Sequence, residues 1–346
     1  MTKTLRNLSD LAAYGLIAPD SGLDAVADRY AIALTDTLLG LIDQNNPDDP
    51  IARQFVPSPN EGILQAAERA DPIGDHVHMP VTGIVHRYPD RVLLKPVHVC
   101  PVYCRFCFRR EMVGPGGDAM TQDQMDAAVD YIAGQAEIFE VILTGGDPLM
   151  LSARRMGDLI ARLNAIPHIG VIRIHSRVPI ADPARIDNAM VAALKSSKAL
   201  WLSIHCNHAN ELGPDQARAL ADLSAAGIPL LSQSVLLRGV NDDVDTLTVL
   251  FRKLISLKVK PHYLHHPDLA PGTGHFRLTI EEGQQLVQAL WRRVPGPARP
   301  TYVLDIPGGH GKINLLPGGA QAVGDGTYQV TGLDGQAMIY PPFDRA

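Results

Sequence analysis

Between residues 92 and 293 the chain alternates short apolar, β-branched runs with longer segments whose apolar residues recur at helical spacing. The pattern predicts strands at 92–99, 139–144, 171–175, 200–205, 230–235 and 262–265. Helices are expected at 122–135, 156–165, 184–194, 214–226, 244–257 and 280–293. Parallel strands need long crossover connections, so six βα units in succession demand a parallel sheet covered by helices. A barrel and a doubly wound sheet both satisfy that demand. The residues at the strand ends favour the barrel, whose active sites assemble at the C-terminal rim. Cysteines follow the first strand, Gly145, Gly146 and Asp147 the second, and Ser176 and Arg177 the third. His205 and Asn207 end the fourth, Gln233 and Ser234 lie on the fifth, and Asp268 follows the sixth.

Cys100, Cys104 and Cys107 are spaced C-x3-C-x2-C, and only one other cysteine, Cys206, occurs. Iron–sulfur clusters are usually held by four cysteines, and closed structural zinc sites by four ligands. Three thiolates on a four-iron cluster leave one iron open to bind something else, which reads as a place for chemistry. A zinc site completed by His98 or a distant histidine is the alternative. Three bunched cysteines make no disulfide framework and suit a reducing cytoplasm.

Around the barrel, residues 5–43 read as helical, with 23–41 rich in alanine and leucine behind caps at Asp20 and Ser21. Residues 45–50 break that pattern, and 71–75 form a turn. Three regions are expected: an N-terminal helical extension (1–80), the barrel (81–300) and a C-terminal segment (301–346). The last opens on a seventh strand at 302–306 and ends in a β-hairpin about residues 332–335. A net charge of −6 gives no reason to expect nucleic acid. No run approaches the roughly 20 apolar residues of a membrane span, and residues 1–10 lack an apolar leader core.

With Phe106 before its last cysteine, the triplet resembles the radical S-adenosylmethionine (radical SAM) signature. Cys107-Phe108-Arg109-Arg110, Gly145-Gly146-Asp147-Pro148-Leu149 and Pro307-Gly308-Gly309-His310-Gly311-Lys312 resemble the lysine 2,3-aminomutase family. Residues 86–312 carry the likeness, about two thirds of the chain. It implies a partial (β/α)6 barrel, TIM-like and open on one side. It also implies that Cys100, Cys104 and Cys107 hold a [4Fe–4S] cluster whose fourth iron binds S-adenosylmethionine. Gly145, Gly146 and Asp147 would then meet its methionyl amino group, with Arg177 and His205 as further contacts. Lys312 is implied as the Schiff-base lysine of pyridoxal 5′-phosphate (PLP). Arg87 and Arg91 would take the phosphate, Tyr88 would lie beside the ring, and Gln233 near both cofactors. A phosphate-binding P-loop does not fit, because Ile306 replaces its first glycine and Ile313 follows the lysine. His310 departs from the family's usual glycine.

The same resemblance places Arg109 on a substrate α-carboxylate and Asp268 and Asp305 on a lysine ε-ammonium. Elementary electrostatics agrees: burying an ion costs on the order of several kcal/mol unless it is paired, and converging carboxylates repel unless a cation joins them. The implied activity is L-lysine 2,3-aminomutase, an isomerase that interconverts L-lysine and L-β-lysine through a 5′-deoxyadenosyl radical and a PLP external aldimine. Its partners would be L-lysine and a flavodoxin- or ferredoxin-type electron donor, and a homo-oligomer is compatible. One related branch supplies β-lysine for modifying translation elongation factor P. Phe106, Phe108 and residues 173–177 resemble that branch, whereas PGG-x-GK and Asp305 do not. A non-catalytic zinc or iron–sulfur module is the reading from another class.

Overall fold

The computed structural model describes residues 4–114, 119–316, 318–324, 327–331 and 336–340. Nine strands form its main sheet, in spatial order matching chain order. They are β1 (Ile84–Tyr88), β2 (Arg91–Val97), β3 (Glu140–Gly145), β4 (Val171–Ser176), β5 (Ala199–His205), β6 (Leu230–Val235), β7 (Val259–His265), β8 (Thr301–Asp305) and β9 (Lys312–Asn314). Strands β2 to β8 are parallel, while β1 and β9 pair antiparallel at the two edges. The crossovers carry α1 (Gln122–Ala133), α2 (Ala153–Asn164), α3 (Asn188–Ala193), α4 (Pro214–Ala225), α5 (Val244–Ser256) and α6 (Ile280–Trp291). All nine strands line one cavity, so the sheet curls into a partial barrel.

The seven parallel strands are the expected six and the short seventh, β8, while the two antiparallel edge strands were not foreseen. Those edges, His86-Arg87-Tyr88 and Lys312-Ile313-Asn314, are short and polar and give no apolar alternation to read. Along the parallel strands the alternation has an unusual sense. On β4, Ile172, Ile174 and Ser176 are buried away from the cavity, whereas Val171, Arg173 and His175 line it. The interior therefore holds polar groups, and the apolar core lies between sheet and helices. Helix starts follow capping chemistry: Thr121 with Gln124, and Thr279 with Glu282, form reciprocal capping boxes.

The long helix expected over 23–41 does not form. Asp24–Arg29 is helical, Tyr30 turns extended (φ −125°, ψ 122°), and Leu34–Thr35 pairs with Thr4–Leu5. Ile32, Ala33 and Leu34 are all buried, a demand that a one-sided surface helix would not meet. Thr35 then caps Asp36–Leu39 and donates its hydroxyl to Ala181 O at 2.5 Å. Tertiary packing has overridden helix propensity here. At the other end, the strands Thr327–Thr331 and Ala337–Tyr340 pair as a hairpin should, and Ala320–Gly324 joins them as a third strand. The hairpin's turn, 332–335, lies outside the described residues.

The N-terminal segment clasps the cysteine loop. Tyr103 N–H donates to Ala33 O (3.1 Å) and Arg105 N–H to Gln54 O (2.8 Å). Glu61, 1% exposed, accepts from Arg105 Nε (3.0 Å) and Nη2 (2.6 Å) and also pairs with Arg110. Burial opposes charge on Glu61, yet the two guanidiniums hold its carboxyl below the usual range. The stabilisation is thus present above the unfolded carboxylate value of about 4.3 and is lost as pH falls through the lower folded value. Glu61→Gln leaves two buried arginines uncompensated and should cost about 3–5 kcal/mol in urea unfolding at pH 7. A loss below about 1 kcal/mol would show that the clasp does not depend on this charge.

Candidate active site at the open side of the barrel

The three cysteines lie on the loop that follows β2. Cys104 and Cys107 line the barrel cavity of about 870 Å³, and all three border a second pocket of about 40 Å³. Gly145 and Gly146, at the end of β3, brace this loop by close backbone approach. A Cβ on Gly146 would stand 2.5 Å from Val99 O, and Gly146 N–H and Asp147 N–H donate to Val97 O (2.7 Å) and Val99 O (2.9 Å). Neither glycine nor Asp147 lines the cavity.

Asp147 has its own partners within the fold. Its buried carboxylate accepts from Ser176 Oγ (2.7 Å) and from the backbone N–H groups of Arg177 (2.6 Å), Val178 (3.0 Å) and Leu149 (3.1 Å). That leaves it joining the β3 and β4 loops instead of facing an ammonium. Arg177 is likewise committed. Its guanidinium donates to Glu211 (2.6 Å), Gln54 (3.0 Å) and Cys104 Sγ (3.5 Å). Arg177 still borders the cavity, as does His205. Burial and the Arg177 charge push the His205 imidazole down to about 3, so it stays neutral. Gln233 Nε2 lies 3.3 Å from His175 Nε2.

Lys312 opens β9 on the far edge of the sheet. The turn before it is built of glycines at positive φ: a Cβ on Gly309 (φ +86°) would stand 2.7 Å from His78 Nε2. Lys312 N–H donates to Tyr88 Oη (2.9 Å), spanning the gap between β9 and β1. Tyr88 therefore holds the lysine turn, and its ring lies under the Arg91 guanidinium at 3.8 Å. The Lys312 ammonium contacts Asp305, the residue facing it across the β8–β9 pair.

Arg109 was assigned to a substrate carboxylate, and the structure already gives it a partner, Asp75. Its Nε and Nη2 each lie 2.9 Å from Asp75 Oδ2. Arg87 (3.5 Å) and Lys95 (3.6 Å) flank the same fully buried carboxylate. Three cations around one acid leave an excess positive charge beside the cavity that Arg87 and Arg109 line. Sequence reasoning missed Asp75 and Lys95: one sits in what reads only as a turn, the other inside a strand.

Residues 94–250 match the family model of the Radical SAM superfamily. The chain is 40% identical over 298 residues to the L-lysine 2,3-aminomutase of Clostridium subterminale, covering 86% of this chain and 72% of that one. The chain belongs to the lysine 2,3-aminomutase family of radical SAM enzymes. The L-lysine 2,3-aminomutases of Escherichia coli K12 (37%, 83% of each chain) and Bacillus subtilis 168 (35%, 92% and 68%) are also similar. Among solved structures, a radical SAM methyltransferase from Sphaerobacter thermophilus superposes with a TM-score of 0.47 at 19% identity, over 64% of this chain and 68% of that one. Among the described residues, no helix is long and apolar enough to cross a membrane.

As a radical SAM enzyme the chain has a [4Fe–4S] cluster and S-adenosylmethionine as its implied cofactors, and the residues present fit them. Burial pushes the thiols up, Cys104 to about 11, so they need a positively charged partner to ionise. Iron supplies that charge. Among the described residues, no group of three His, Cys, Asp or Glu side chains is arranged to hold a single metal ion.

Asp268 is the electrostatic anomaly of this family member. Neither Arg277 nor Arg252 serves it: Arg277 pairs with Glu68, and Arg252 donates to Arg293 O. Burial and the Asp305 charge raise its carboxyl to about 7. Asp305 moves the opposite way, since contacts with His265 and Lys312 outweigh its burial. A raised folded pKa means that stability present below about 3.9 is lost as pH climbs through 7. Asp268→Asn should therefore raise the Tm of the cofactor-free protein relative to wild type at pH 8 and not at pH 4. Equal differences at both pH values would contradict the assignment.

Proposed function

We propose that the protein is an L-lysine 2,3-aminomutase, moving the amino group of L-lysine between C2 and C3. One observation carries this: an unmatched carboxylate, Asp268, faces the same cavity as Asp305, Lys312 and the cysteine loop. A terminal ammonium would satisfy both carboxylates. The names of the relatives point the same way. When bound, PLP would supply a π system for the migrating nitrogen, and cluster-bound S-adenosylmethionine a carbon-centred radical to remove hydrogen.

The chain's own residues have distinct tasks. Lys312 would attach PLP and release it to the substrate amine. Arg87 and Arg91 would hold the phosphate; Arg87 Nε is buried without a partner, as an anion-seeking donor should be. Arg109, oriented by Asp75, would take the α-carboxylate with its remaining N–H groups. Asp268 and Asp305 would grip the ε-ammonium and so set the substrate's direction along the barrel. The apolar and aromatic wall, including Phe106, Phe108 and Tyr263, excludes water from the reacting centre. A flavodoxin- or ferredoxin-type protein would deliver the electron. Free lysine is favoured over a role in modifying elongation factor P because Asp305 is retained and touches Lys312.

The test is chemical. Anaerobically reconstituted, reduced protein given L-lysine, S-adenosylmethionine and PLP should form L-β-lysine. Lys312→Ala should lose both PLP retention and turnover; β-lysine at the wild-type rate from that variant would contradict the assignment.

A further inference from the structure

His265, at the C-terminal end of β7, was not among the residues singled out by sequence. Its Nδ1 lies 3.4 Å from Lys312 Nζ and 3.5 Å from Asp305 Oδ2. Its Nε2 is buried with no hydrogen-bond partner. The Tyr263 ring completes the enclosure, with its centroid 5.3 Å from Lys312 Nζ and 5.6 Å from that of His265. Lys312 thus ends among a carboxylate, an aromatic face and an imidazole.

Two of those neighbours oppose what Lys312 must do. Asp305 and the Tyr263 face both stabilise the ammonium, whereas attack on a carbonyl needs the neutral amine. Asp305 is a poor acceptor for the surplus proton, because its contacts hold the carboxyl well below the ordinary range. His265 is different. Burial and the adjacent Lys312 charge keep its imidazole neutral, and in the tautomer protonated at Nε2 its Nδ1 offers a lone pair toward Lys312 Nζ.

We propose that His265 is a catalytic base for Lys312, taking a proton from Nζ so that the amine can attack the aldehyde of PLP. This deepens the proposed function and rests on its assignment of PLP to Lys312. The proton balance closes without another reagent. The N–H electron pair stays on Nζ while its proton passes to His265 Nδ1, giving an imidazolium beside the Asp305 carboxylate. The freed pair forms the N–C bond. Of the three protons on Nζ, one remains on nitrogen and two leave with the aldehyde oxygen as water, one of them by way of His265. The imidazole ends neutral, as it began, and nothing is oxidised or reduced.

The experiment follows covalent attachment, not turnover. Full-length wild type, His265→Ala and His265→Asn are mixed with PLP, trapped with borohydride at intervals, and the Lys312 peptide is quantified by mass spectrometry. Both variants should label Lys312 about 10²-fold more slowly or worse, the low end for general base catalysis. Added imidazole should restore the alanine variant's rate in proportion to its concentration. The asparagine variant, closer in size and polarity, covers the case in which alanine does not fold. Labelling of either variant at the wild-type rate overturns the inference, as does a slow alanine variant indifferent to imidazole, which marks a packing role. A wild-type chain left unlabelled at Lys312 instead removes the PLP assignment, and the inference with it.

Discussion

The 2.9 Å hydrogen bond from Lys312 N–H to the Tyr88 hydroxyl joins two edges that a closed barrel would have paired strand to strand. Closing a barrel removes exposed edges, and this sheet stops short of it. Each end is finished by a short antiparallel strand, β1 or β9, and a side chain reaches across between them. That arrangement puts the Lys312 amine and two arginines, Arg87 and Arg91, on opposite lips of one opening. It also sets the amine facing the cysteine loop through a shared cavity. The cavity, about 870 Å³, lies within the range of small-molecule sites and near its upper end.

Among the described residues, buried ion pairs surround the cysteine loop, with positive charge in excess at Asp75, whereas Asp268 inside the cavity has no ion pair. Arg105 and Arg110 meet Glu61, Arg109 meets Asp75, and Arg177 meets Glu211. Such buried pairs add little net stability compared with apolar packing, but breaking one is expensive. They hold the loop in a single arrangement. Asp268 has no comparable partner, and its carboxyl is pushed up to about 7. A half-buried acid kept partly protonated would be poised for an incoming cation. The Lys312 ammonium meanwhile occupies Asp305, and under the proposed function the two carboxylates would become a joint cation site once Lys312 gives up its charge.

Strands β2 to β8 were legible because apolar residues alternate or cluster over enough length, and their ends carry recognisable polar groups. The edge strands were not, since their side chains serve the opening instead of a packed face. The run at 31–35 misled because helix-forming composition says nothing about burial on all sides. Cys100, Cys104, Cys107 and Lys312 stood out through motif spacing. What spacing cannot disclose is which partner a charged side chain meets across the fold. Asp147, Arg109 and Arg177 carried plausible ligand roles in sequence, while Ser176, Asp75 and Glu211, their actual neighbours, lie 29 to 34 residues away. His265 ends the predicted strand 262–265 and acquired meaning only through its contact with Lys312.

The central claim is that Asp268 and Asp305 form a site that demands a terminal ammonium. It is tested most directly by comparing L-lysine with L-norleucine, which keeps the length of the carbon chain and lacks that ammonium, as substrates of the reconstituted enzyme. Because a missing cation leaves buried polar groups unpaired, kcat/KM should favour lysine by about 10⁴-fold or more. A ratio within about tenfold would show that the two carboxylates do not select the substrate, and the account would fail at its base.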